Sequence, residues 1–150
     1  MIHYRNIGGS VDSKNNIHHE FQIKEGQFFD NDRLVMEMDE KPIINFNEKV
    51  VVLLSRYTIS SEELVAVAFK GRKNTRFIGE KTAGYTTGNG WEPVTDDLIM
   101  CISESVFIDR NKKSYNHKVA VDESVEFEHT TDLANDQQIL KAKEWLLEKE

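Results

Sequence analysis

Lys49-Val50-Val51-Val52-Leu53-Leu54-Ser55 is a short, uninterrupted apolar run, and together with the turn and helix signals after it this run decides the fold. A run with no polar alternation suits a strand covered on both faces, as in the centre of a parallel sheet. Next come Thr58-Ile59-Ser60-Ser61-Glu62-Glu63, an apolar stretch from Leu64 to Phe69, and Lys70-Gly71-Arg72-Lys73. Ser60 with Glu63 three residues on has the form of a capping box. Glu62 and Glu63 suit the positive end of a helix dipole, and Gly71 with its basic neighbours suits a C-terminus. The spacing predicts a helix of about three turns. Thr75-Arg76-Phe77-Ile78 reads as the next strand, entering Gly79-Glu80-Lys81-Thr82-Ala83-Gly84. Strand, helix and strand in about 30 residues make a βαβ unit with a right-handed crossover.

Outward from this unit the signals weaken. Residues 10 to 32 are polar and read as a long excursion, with one candidate strand at Phe21-Gln22-Ile23. Arg33 to Met38 forms a second candidate strand, punctuated by Asp39-Glu40-Lys41-Pro42. Beyond Gly90, Trp91 to Val94 and Leu98 to Ser105 flank the turn Thr95-Asp96-Asp97 as a hairpin; Val106-Phe107-Ile108 runs on to a turn at Asp109 to Lys113. Ile139, Ala142 and Leu146, with Leu140 and Leu147, mark a closing amphipathic helix that Asp132 or Asn135 would cap. No internal repeat is present. The expected class is α/β: a largely parallel sheet plus an antiparallel hairpin region and a C-terminal helix.

Composition bounds the function without naming it. The 150 residues are the size of one domain, and 19 basic against 26 acidic residues give a net charge of −7. An acidic chain without a basic patch argues against nucleic acid or an anionic membrane as main partner. No apolar run approaches the roughly 20 residues that span a bilayer, and Met1 to Gly9 has no apolar signal-peptide core. The single cysteine, Cys101, precludes an internal disulfide, and its apolar neighbours predict a buried, unreactive thiol.

Chemistry concentrates at Ser60. A hydroxyl where a central strand turns into a helix sits at the positive end of the dipole, beside backbone N–H groups able to hold an oxyanion. Acyl-transfer enzymes expose nucleophiles in this way. A plain N-cap serine has the same sequence signature. Of the five histidines, His18 and His19 read as a surface pair, His117 and His129 as loop residues, and His3 as the one nearest Gly8 and Gly9. Lys81 reads as a solvated lysine. Gly84, Gly88 and Gly90 lack the Gly-Lys-Ser/Thr ending or the GxGxxG pattern of a nucleotide loop.

Val50 to Leu54, Thr58 to Glu63, Gly71-Arg72 and Ile78 to Gly84 together resemble the core of the C-terminal processing, or tail-specific, serine peptidases. The likeness is to the branch of the nisin-resistance proteins and, more distantly, tricorn protease. Asp109-Arg110, Asp122 and the run Asp136 to Leu146 are similar to later family segments, and Arg5-Asn6-Ile7-Gly8-Gly9 looks like the end of a D-L-R-x-N-x-G-G motif. The resemblance implies a crotonase-like or Clp-protease-like fold, with residues 1–150 as a single partial catalytic domain. It implies Ser60 as nucleophile, Gly8 or Gly9 and the Ser61 amide as oxyanion donors, and Glu63, Thr82, Gly84 and Tyr85 in support. It also implies a peptide or unfolded polypeptide substrate and no metal or organic cofactor.

Three departures stand out. The lysine base that one branch carries 25 residues after its serine falls on Tyr85 here, and a phenol is a poor base at neutral pH. The histidine base of the other branch lies well before the D-L-R-x-N-x-G-G segment, and so upstream of Met1. The family's Gly-Val-x-Pro-Asp is also reduced to Lys118-Val119-Ala120-Val121-Asp122. The expectation is a serine peptidase chain of little or no activity, which pairs with further copies along an uncovered sheet edge. The competing expectation is a peptide-binding module that uses the same cleft without catalysis. Relatives are commonly exported or held at the cell envelope, and no export signal is legible in this chain.

Overall fold

The structure is a computed structural model that describes residues 4–39 and 47–148. In chain order it contains β1 (Tyr4–Val11), β2 (Ile17–Lys24), β3 (Gln27–Asp30), β4 (Arg33–Glu37), β5 (Val50–Leu54), α1 (Ser61–Phe69), β6 (Thr75–Gly79), β7 (Thr87–Thr95), β8 (Leu98–Asp109), β9 (Ser114–Tyr115), β10 (Glu123–Ser124) and α2 (Gln137–Leu147). The mixed α/β class and the β5–α1–β6 unit agree with the sequence pattern. The largely parallel sheet does not. Among the described residues parallel pairing is confined to a three-stranded sheet in the order β10-β6-β5. The larger sheet, β4-β3-β2-β1-β8-β7 with β9 against β8, is antiparallel throughout.

Turn chemistry explains the difference. Glu25 and Gly26 (φ 50° and 80°) join β2 to β3, and Asn31 and Asp32 (φ 48° and 64°) join β3 to β4. Two-residue turns with both φ values positive match the twist of antiparallel strands, whereas parallel neighbours need a crossover. The stretch expected as an excursion is therefore a meander of hairpins.

Both sheets meet at α1. Leu54 from β5, Phe77 from β6, Ala66 and Val67 from α1, Phe107 from β8 and Val119 form the buried core, with Val52, Leu64, Phe69, Tyr115 and Val121 packed around it. The family-like tail segments serve this core. Arg110 donates to the carbonyls of Ala68 (2.6 Å) and Lys70 (3.2 Å), satisfying the end of α1. Asp109 is buried and accepts from the Tyr115 hydroxyl and the amides of Asn111 and Lys113. Asp122 accepts from the Phe77 amide at 2.8 Å, extending β6 towards β10.

Two local expectations need correcting. Asp136, not Asp132 or Asn135, caps α2 by accepting from the Ile139 amide at 2.9 Å. Asp132 instead closes the preceding turn on Ala134 and Asn135. Cys101 is exposed, because the distal part of the β7–β8 hairpin stands away from the core; Trp91, on the strand opposite, is 71% exposed. Among the described residues no helix is long and apolar enough to cross a membrane.

Gly79 closes the parallel sheet where it approaches the site. Its φ is +125°, and a Cβ there would lie 2.0 Å from the Leu54 carbonyl oxygen. Gly79→Ala is expected to destabilise the chain by about 3 kcal/mol through left-handed strain and the displaced β5 backbone, read as a lowered urea midpoint with unchanged slope.

Candidate active site

The site begins where β5 runs out. The Leu54 carbonyl accepts from the Glu80 amide (2.9 Å), so β6 escorts β5 to its last residue. Ser55 and Thr58 then close a turn on themselves. The Ser55 amide donates to Thr58 Oγ1 (3.1 Å), the Thr58 amide to the Ser55 carbonyl (3.0 Å), and the Tyr57 amide to Ser55 Oγ (3.2 Å). The chain must next reverse into α1 within two residues, and Ser60 absorbs the reversal at φ 54°, ψ −116°. A non-glycine residue held there costs about 1–3 kcal/mol and persists only where its surroundings impose it. Ser60 is exposed, at the N-cap of α1. Ser61 is the first helical residue and also exposed; its amide, like others of the first turn, has no intrahelical acceptor.

Glu63 imposes the conformation. Its side chain is fully buried and accepts four hydrogen bonds. Oε2 takes the amides of Ser60 (3.0 Å) and Tyr85 (2.7 Å); Oε1 takes the Gly84 amide (2.8 Å) and the Thr82 hydroxyl (2.5 Å). A buried carboxylate without such partners would be strongly destabilising. Thr82, also fully buried, accepts in turn from the Val119 amide at 2.8 Å. The Ala83 amide donates to the Thr58 carbonyl at 3.0 Å, so loop 80–85 grips both sides of the reversal. Gly84 meets Oε1 at φ +102°, with Lys118 3.2 Å from where a Cβ would stand. Tyr85 shares Oε2 with Ser60 through its backbone, while its ring is 63% exposed.

A second clamp lies outside. Arg56 Nη1 meets Glu80 Oε1 at 2.6 Å, and the Arg56 amide meets Oε2 at 3.1 Å. The Arg56 amide, the Phe127 amide and the guanidinium charge hold the Glu80 carboxyl below its ordinary range. Arg56 is exposed and Glu80 half-buried, so this partly screened pair adds geometry more than stability.

The other residues singled out by sequence take no part in the hydrogen bonds to Glu63. Gly8 and Gly9 are inside β1, paired on both sides by β2 and β8. The Gly8 amide donates to Asn6 Oδ1 (2.9 Å), and a Cβ on Gly9 would lie 2.0 Å from the His19 carbonyl oxygen. Close strand approach thus accounts for both glycines. They line an apolar cavity of about 130 Å³ with Leu64 and Val65 of α1, and Ser60 is not in its wall. His19 bonds through Nδ1 to Asp30 (2.9 Å), beside the His18 and Phe21 rings. His117 and Lys81 are exposed, and His3 is outside the described residues. Among the described residues no His, Lys, Asp or Glu side chain is hydrogen-bonded to Ser60 Oγ, and no cluster of His, Cys, Asp and Glu is disposed to hold a metal ion. Phe127 and His129 were not expected at the site. They come after β10, a two-residue strand whose pairing register carries no sequence signal.

The chain has relatives among known proteins. The model of peptidase family S41 matches residues 5–126. A nisin-resistance protein from Lactococcus lactis subsp. lactis is 34% identical over 68 residues, 45% of this chain and 21% of that protein. A lipoprotein structure from Streptococcus agalactiae superposes with a TM-score of 0.59 at 21% identity, covering 95% of this chain and 44% of the other. The photosystem II D1 C-terminal processing protease gives 0.64 at 19% identity, covering 92% and 31%. The chain therefore spans about a fifth of the curated relative it matches and less than half of either solved structure.

Glu63→Gln tests the buried carboxylate. One side-chain oxygen becomes an NH₂ that faces two donors, so the substitution is expected to cost about 1–3 kcal/mol for the unpaired buried groups. Glu62→Gln, one residue away and exposed, is expected to change stability by less than about 0.5 kcal/mol; paired urea titrations give the comparison.

Proposed function

The chain belongs to peptidase family S41, the C-terminal processing peptidases, and from that membership we propose that it carries the nucleophile of a serine peptidase site. In this reading residues 1–150 are one partial catalytic domain, with its crotonase-like or Clp-protease-like part built on β5, α1, β6 and β10. The observation that carries it is the backbone of Ser60. A serine strained at φ 54°, ψ −116°, exposed, and tied through Glu63 to the loop 82–85 is more than a cap requires, since N-caps adopt ordinary extended angles.

The chemistry is acyl transfer. Ser60 Oγ attacks the carbonyl carbon of a peptide bond in an extended polypeptide, its proton passing to a general base. The C–N bond breaks as that proton reaches the leaving amine, and water then hydrolyses the ester to free Ser60. The Ser61 amide, at the positive end of α1, supports the oxyanion. Glu63, Thr82, Gly84 and the Tyr85 backbone are positioning residues that act through Ser60. Gly8 or Gly9 would supply the second oxyanion donor, and the Gly8 amide would first have to release Asn6 Oδ1. Among the described residues no side chain able to serve as a base is bonded to Ser60 Oγ, which supports a base supplied from outside them. That same observation favours the second reading, a peptide-binding module without turnover. Among the described residues β5 also ends its sheet with only β6 beside it and Leu53 41% exposed, an edge that would be open to pairing with a second chain.

A fluorophosphonate probe separates the readings. Labelling of the wild-type chain and not of Ser60→Ala, with peptide turnover orders of magnitude below that of complete serine peptidases, is the expected result. Peptide binding with no labelling selects the binding module. Equal labelling of both chains removes Ser60 as nucleophile. Light scattering is expected to show dimers or larger species, and a strictly monomeric chain removes the open-edge pairing.

A further inference from the structure

The C-terminal ends of the three parallel strands converge on a feature that the acyl-transfer reading leaves unused. Arg56 and Tyr57 come after β5, Glu80 after β6, and Phe127 and His129 after β10. Arg56, Tyr57, Phe127 and His129 line a cavity of about 410 Å³, three times the volume of the one beside Gly8. Clefts at the C-terminal ends of parallel strands are the usual ligand sites of such sheets. This one opens three residues before Ser60.

Its lining states what it can hold. The Tyr57 and Phe127 rings meet edge to face at 5.7 Å, and the Arg56 guanidinium lies over the Tyr57 ring at 5.0 Å. Tyr57 is 64% exposed, so much of its ring remains available to a partner. Arg56 already has its carboxylate in Glu80. An acidic side chain entering the cavity would have to compete with Glu80, and a basic one would face the guanidinium. A neutral aromatic ring meets neither penalty and gains edge or face contacts with two rings.

The geometry points to a side-chain subsite, formed by Tyr57 and Phe127 beneath Arg56, for an aromatic residue of the polypeptide bound at Ser60. This rests on the peptide-cleft reading for the identity of the polypeptide, and on the cavity alone for the aromatic preference. His129 also lines the cavity and is exposed.

The test uses fluorescent alanine pentapeptides in which Phe, Glu or Lys replaces Ala at one position at a time, with binding to the full chain read by anisotropy. At one position Phe is expected to bind about tenfold more tightly than Ala, the order of effect for a buried aromatic anchor, with no gain for Glu or Lys. Tyr57→Ala, at an exposed position whose unchanged thermal midpoint verifies folding, is expected to abolish the preference. Phe127→Leu is expected to reduce it. The preference is expected to persist in Ser60→Ala, which separates the subsite from the catalytic reading. If the probe fails to label Ser60 while the Tyr57-dependent preference holds, the subsite stands and the peptidase reading falls. Equal binding of all peptides, or a Phe preference that survives Tyr57→Ala, overturns the subsite.

Discussion

Everything around Ser60 depends on one buried carboxylate. Glu63 sits at the third position of α1 with no solvent contact, and its four donors come from two separate stretches of chain. Burying an ionisable group is unfavourable unless its hydrogen bonds are made. The loop 82–85 therefore cannot leave without exposing the carboxylate to an unmet demand, and the reversal at Ser60 cannot relax without giving up Oε2. The cost of holding Ser60 in a sparsely populated conformation is met by stability stored in the interior. This is how a loop serine acquires a fixed orientation while remaining exposed.

The same constraint couples the sheets. Thr82 bonds Glu63 with its hydroxyl hydrogen and receives the Val119 amide on its oxygen. Val119 is a fully buried member of the core that also holds Phe107 of the antiparallel sheet. A displacement at the reversal is thus felt in the packing between the layers. Asp109, Arg110 and Asp122 support this arrangement from the far side by satisfying the end of α1, the turn after β8 and the last strand pairing.

Legibility in the sequence tracks how local the physics is. Val50 to Leu54, the S-x-x-E box and Gly71 announce β5, α1 and its end because strand composition, capping and C-terminal glycine act within a few residues. The resemblance to tail-specific peptidases points to Ser60, Glu63, Thr82, Gly84 and Tyr85 as one group, and the structure gathers the other four on the Glu63 carboxylate. The antiparallel meander escapes the pattern because Glu25-Gly26 and Asn31-Asp32 are less familiar turn pairs than Asn-Gly, although alternation of His19, Phe21 and Ile23 with polar neighbours is present. Gly8 and Gly9 fit a family motif, yet strand crowding accounts for them. Cys101 misleads for a tertiary reason: its apolar neighbours belong to a hairpin whose outer part has no layer above it. Phe127 and His129 could not be foreseen, since two residues of β10 bring them to the site.

Amide hydrogen exchange at single-residue resolution tests the central claim most directly. Ser60 is exposed, and as an ordinary capping box at a fraying helix end its amide would exchange through local opening, well ahead of the core. If Glu63 holds the reversal, the amides of Ser60, Gly84 and Tyr85 exchange together, at the slow rate of core amides such as Val67 and Ile78, and only through global unfolding. Fast exchange at Ser60 and Tyr85, with the core still protected, would contradict the account.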